Sequence, residues 1–317
     1  MNNENKDSEL ELIAPLKARV KKDYALPACI VISAIILALA WIYTTGLRAA
    51  NLGKAEVKTN ARSTSESVPG AEVTPSSGVI LPISWGDLGA QLVSAGVIDA
   101  ERFQAIYDGR GEFTSEYRTL LLGRSDGLLL IAPKNAAYLL NLFWAVGLAN
   151  KNPILDAGEM TDPRYGGAHR FASTAGWTMA KGSPMDHYSR HLLIKLTAEQ
   201  QALVEKISRG IYRPCCGNST HFPDCNHGMA MLGFLELMAS RGVSEQAMWR
   251  AALAVNSYWF PDTYSTIATY LKNKGVPWQD AKPEEILGAD YSSGAGYAKI
   301  AAQVLEPQSQ GGGSCGV

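Results

Sequence analysis

The strongest constraint on this chain is an apolar run close to its N-terminus. No charged side chain occurs at 25–47, and 28–43 is almost wholly apolar. A helix rises 1.5 Å per residue, so about 20 residues cross the ~30 Å hydrocarbon layer of a membrane. The run has that length, and Trp41 and Tyr43 lie near one end, where aromatic rings favour the interface. The alternative is a cleaved signal peptide. Against it, residues 1–24 precede the run and only Ala49-Ala50 offers small residues after it, so a retained anchor fits better. Lys17, Arg19, Lys21 and Lys22 precede the run, whereas only Arg48 and Lys54 follow closely. The basic side stays in the cytoplasm, so the expected topology is single-pass in the cell membrane, N-terminus cytoplasmic and C-terminal domain extracytoplasmic.

That anchor divides the chain. The expected organisation is a cytoplasmic segment at 1–24, a transmembrane helix at 25–47, a flexible linker at 48–78, an extracytoplasmic globular domain at 79–305 and a flexible tail at 306–317. Linker and tail are rich in Ser, Gly and Pro and poor in large apolar residues, so neither supports a core. The domain between them does: the chain is 46% hydrophobic and 19% charged. Its 29 basic and 30 acidic residues leave no excess to neutralise phosphates, which argues against a nucleic-acid partner. Membrane lipid is implied as a partner through 25–47, a metal ion is a further candidate, and the sequence does not specify any protein partner.

Local patterns predict a fold that is mainly α with a minor β component. Trp85, Leu88, Leu92 and Val93 suggest a short amphipathic helix. Asp99 caps a helix at 100–107, and Thr197 caps one at 198–209. Helical spacing of Leu139, Leu140, Phe143, Trp144 and Gly147 predicts a helix at 135–148. Further helices are expected at 229–240, at 245–255 after Ser244, and at 262–273 after Pro261. The apolar runs 127–132 and 192–196 read as short strands.

Chemistry concentrates in one loop. Five cysteines are present, and Cys29 falls in the apolar run. Cys215, Cys216 and Cys225 share the segment 215–227 with His221 and His227, and Cys315 stands in the tail. Gly217, Asn218 and Pro223 let the loop fold back. Asn226 is expected to cap the following helix, placing Cys225 at a helix N-terminus where the dipole favours thiolate. Three readings remain open. Cys and His supply ligands suited to zinc or copper, with Met229 and Met231 as nearby thioethers. Adjacent thiols can cycle with Cys225. A structural disulfide can pin the loop in an oxidising compartment. No CxxCH haem-attachment site and no nucleotide-binding motif occurs.

The same segment resembles the motif of uncharacterised membrane-anchored bacterial proteins named for a Pro-Cys-Tyr-Cys-Gly-Cys run. Pro214-Cys215-Cys216-Gly217 and Asp224-Cys225 match in outline, while the intervening tyrosine and the cysteine after the glycine are missing. The resemblance covers about fifteen residues. It implies a surface protein with clustered cysteines and carries no established activity.

A second constellation begins with Ser183-Pro184, a helix-start signature with Asp186 as the capping acid. His187 and His191 would then lie four apart on one helical face, a spacing that lets two imidazoles share a metal. Packing or surface roles are the competing reading, since the glutamate of HExxH is absent. A short loop has difficulty placing four ligands tetrahedrally, so His187 or His191 is expected to close onto 215–227 and complete a mixed Cys/His site.

Overall fold

The computed structural model describes residues 72–304. The expected membrane span, the N-terminal segment, most of the linker and the tail lie outside the described residues, and Cys29 and Cys315 lie there too. Among the described residues no helix is long and apolar enough to cross a membrane.

The described chain is mainly helical with one two-stranded sheet. Strand β1 (Val79–Gly86) leads into α1 (Leu88–Ser94), α2 (Ala100–Asp108) and α3 (Ser115–Leu122), and β2 (Ser125–Ile131) returns antiparallel to β1. The register pairs Ile80 with Leu130 and Ser84 with Leu128. Alternation sends Leu81, Ile83, Trp85, Leu129 and Ile131 into the core and leaves Ile80 and Leu128 exposed. The apolar run expected as a buried strand is therefore a strand with one open face. Trp85, expected at the start of a helix, closes β1 instead, and its indole donates to the Leu120 carbonyl. Packing already includes Val73, in the stretch that composition assigned to the linker.

Two helices make the centre. In α4 (Ala136–Ala149) almost every residue is apolar, and such a helix must be buried all round. After irregular chain and short helical turns come α5 (Ala198–Gly210) and α6 (Asn226–Ser240). Helices α4 and α6 pack at close range through Gly147 and Gly233. A Cβ on Gly147 would lie 2.0 Å from the Met229 carbonyl oxygen, and one on Gly233 would lie 2.4 Å from that of Phe143. Helix α7 (Glu245–Trp259) packs on this pair, and α8 (Pro261–Asn273) packs on α7 and on α9 (Gly294–Val304).

Three of the expected caps are observed. Asp99 accepts from the amides of Glu101 and Arg102, Thr197 forms a capping box with Gln200, and Ser244 accepts from the Ala247 amide. The run 192–196 is not a strand: the side chain of Asn150 takes the Ile194 amide that a neighbouring strand would have bonded.

The core also holds one carboxyl. Glu236, on α6, is fully buried and accepts hydrogen bonds from the side-chain amides of Asn150 and Asn152 at the end of α4. Burial pushes it up to about 8, against the pull of those two donors.

Candidate metal centre

The site grows out of the link between α5 and α6. The chain leaves α5, runs through Ile211 and Tyr212, folds back, and re-enters helix at Asn226. Main-chain bonds fix the fold-back: the Thr220 amide donates to Ile211 O at 2.7 Å, and the His221 amide donates to Ser208 O at 3.1 Å. From the far side, the first amide of α9, that of Gly294, donates to Cys216 O at 2.9 Å.

Cys215, Cys216 and Cys225 come together as free thiols whose sulfurs lie within 4.8 Å of one another. Cys215 Sγ and Cys225 Sγ are 3.6 Å apart. Cys215 is exposed and the other two are half-buried. These three sulfurs can hold a metal ion. The N-cap of α6 is Cys225 itself rather than Asn226: its sulfur accepts from the Gly228 amide at 3.4 Å. The thiol thus occupies the helix N-terminus directly, where the dipole favours negative charge.

The organising residue is Arg213, which the sequence reading passed over. Its side chain is wholly buried. Nη1 donates to Asn218 O at 2.9 Å, and Nη2 donates to Asp224 Oδ1 at 2.7 Å, Phe222 O at 3.3 Å and Cys225 Sγ at 3.5 Å. Asn218 Nδ2 donates to the other oxygen of Asp224 at 2.8 Å. One guanidinium therefore ties together four points along the loop. It lies against Gly228, where a side chain would meet it. An arginine two residues before a Cys-Cys pair and an aspartate one residue before Cys225 are the signal that could have pointed here.

The thiols share charge unequally. Hydrogen bonds from Cys215 and Cys216 hold Cys225 far below the ordinary thiol value, and His227 and Arg213 act in the same direction. Cys215 is pushed up by its hydrogen bonds with Cys216 and Cys225. For Cys216 the bond with Cys215 lowers the value, but the bond with Cys225 and burial outweigh it. Of the three, Cys225 is the sulfur whose surroundings most favour the thiolate.

The five histidines separate. His227 Nδ1 is 4.0 Å from Cys215 Sγ, with its ring against Phe260 at 4.4 Å between centroids. His221 turns away from the sulfurs: its Nδ1 meets Glu159 Oε2 at 2.7 Å. His187 and His191 are not on a helix. Pro184–Asp186 is a single 3-10 turn with the expected capping box, and Ser189 follows at φ 49. The rings nevertheless meet, with His187 Nδ1 3.0 Å from His191 Nε2. His187 Nε2 donates to the Lys181 carbonyl at 3.0 Å, so its Nδ1 faces the partner ring as an acceptor. Burial, then His187 and Arg190, holds His191 below the ordinary imidazole value. Neither histidine has a hydrogen bond or ring contact with 215–227, and neither joins the three-thiol group, so the expected closure onto that loop is not seen. His169 lies in a separate 3-10 turn.

No family model, curated protein or solved structure matches this chain.

Proposed function

We propose that this is a membrane-anchored, extracytoplasmic protein that binds a soft or borderline metal ion through Cys215, Cys216 and Cys225. His227, whose Nδ1 lies 4.0 Å from Cys215 Sγ, is the candidate fourth ligand. One observation carries the reading: three sulfurs within 4.8 Å, two of them 3.6 Å apart. A tetrahedral Zn–S bond of about 2.3 Å implies sulfurs about 3.8 Å apart, close to that separation. The charges favour zinc over copper(I). Three thiolates and a divalent ion leave one negative charge, the smaller load to place beside Arg213, whose own charge is already paired with Asp224. A monovalent ion would leave two.

The second reading is thiol–disulfide exchange. It draws on the same Cys215–Cys225 pair, which needs to approach to about 2.05 Å to form a bond. Cobalt substitution in the full-length protein separates the two. Thiolate coordination produces a sulfur-to-cobalt charge-transfer band and intense tetrahedral d–d bands at one ion per chain, with Cys225→Ser abolishing them. Absence of those bands in fully reduced protein, together with a reversible Cys215–Cys225 disulfide, would favour the redox reading.

A further inference from the structure

In small structural zinc domains the ion holds ligands and loop together, and removing it unfolds the chain. The loop at 213–225 is held differently. Arg213 already occupies its interior as a permanent cation, bonded to Asn218 O, Phe222 O, Asp224 Oδ1 and Cys225 Sγ. Further ties are independent of the thiols: the amides of Thr220 and His221 bond to Ile211 and Ser208, His221 meets Glu159, and the Ser173 amide donates to Asp224 O. Beneath the loop lies an extensive core built on α4 and α6. Little remains for a metal to organise.

The sulfurs also differ in access. Cys216 lies near Asp224 and Cys225 is clasped by Arg213 and the Gly228 amide, whereas Cys215 is exposed. An incoming ligand can reach the ion from the Cys215 side without unfolding anything.

We infer that the metal is exchangeable cargo in a loop preformed by Arg213, passed to or from thiol ligands of a partner that approaches at Cys215. This rests on the metal-binding reading above. In the exchange step an acceptor thiol forms its sulfur–metal bond as the Cys215–metal bond breaks, and the acceptor's proton ends on the Cys215 sulfur. The metal keeps its charge and nothing is oxidised. Arg213 acts here as a positioning residue, holding Cys225 and the loop in place.

The test uses full-length protein loaded with one equivalent of zinc, with dithiothreitol as the acceptor and hydrogen exchange as the structural readout. Removal of zinc should change protection of the Cys216, Thr220 and His221 amides by less than about threefold, whereas a metal-built loop would lose about 100-fold. The rate of zinc loss should rise in proportion to dithiothreitol. In Arg213→Met, protection of the same amides should become dependent on zinc. If that variant fails to fold, the wild-type measurements decide. Tight zinc binding with loss of loop protection on removal, or a loss rate indifferent to dithiothreitol, overturns the inference and leaves the metal reading intact. Failure to bind zinc at all overturns both.

Discussion

Glu236 makes the stability of the domain depend on pH in a direction opposite to that of most carboxylates. Its side chain is fully buried, and its value in the fold is about 8 against 4.5 as the ordinary reference. The folded protein therefore keeps a proton that the unfolded chain releases. Stability from this group is complete below the unfolded value and is lost as pH rises through the folded one. Between about pH 4.5 and pH 8 the folding constant should fall close to tenfold per pH unit, about 5 kcal/mol over the whole window as an upper figure. The value of about 8 already includes the pull of the Asn150 and Asn152 amides toward the ionised form. Urea unfolding of the full-length protein at several pH values, beside Glu236→Gln, isolates the effect. Glutamine cannot ionise, so any misfit of its amide against the two asparagines costs the same at every pH. The stability difference between the two proteins should shift in favour of the glutamine form as pH rises from 5 to 8. Parallel pH profiles would refute the reasoning and mean that Glu236 is ionised in the fold.

Two further predictions concern the metal centre. Cys215 and Cys216 are pushed toward the thiol and Cys225 toward the thiolate, so zinc binding through the three sulfurs near neutral pH should release protons, measured by titration in buffers of different ionisation enthalpy. Release of none would mean that the thiols are not the ligands. His227→Ala should weaken zinc binding by about tenfold or more, while His221→Ala leaves it nearly unchanged, because His221 is engaged by Glu159. A reversed order would place the fourth ligand on the wrong histidine.

Much of the helical frame is legible in the sequence because its signals are local. Asp99, Thr197 and Ser244 each mark a helix start by accepting from amides two or three residues on, and Pro261 marks one by standing first in its helix. Strand β1 is harder to read, since a proline, Pro82, stands inside it and its pairing partner lies beyond three helices. The three thiols could be anticipated because a thirteen-residue segment brings them close whatever the rest of the chain does. The histidines could not be sorted that way. His221 is captured by Glu159, 62 residues earlier in the chain. His187 and His191 meet through a turn with a left-handed serine rather than through a helical face. Arg213 and Glu236 are missed for a common reason: a charged residue reads as exposed until its partners are known, and the fold supplies those partners, two carbonyls, the Asp224 carboxylate and the Cys225 sulfur for Arg213 and two side-chain amides for Glu236.

Gly228 tests whether Arg213 and the start of α6 act as one unit. In an ordinary helix, replacing glycine by alanine stabilises by about 1 kcal/mol. Gly228 lies inside α6 without a left-handed backbone, so that gain is available in principle. The space is not. A Cβ there would stand 2.7 Å from Arg213 Nη2 and 2.8 Å from Cζ. Arg213 is wholly buried and bonded at four points, so it has no open route away. Either the guanidinium leaves Asp224 and Cys225, or the first turn of α6 moves and takes the Cys225 sulfur with it. Overpacking of this kind costs about 1–3 kcal/mol, which outweighs the helical gain. Gly228→Ala should therefore lower the unfolding temperature of the metal-free protein and also weaken zinc binding, although every sulfur and imidazole is retained. A Gly228→Ala protein that is more stable and binds zinc as tightly as the wild type would show that the guanidinium yields freely and does not hold Cys225 in place.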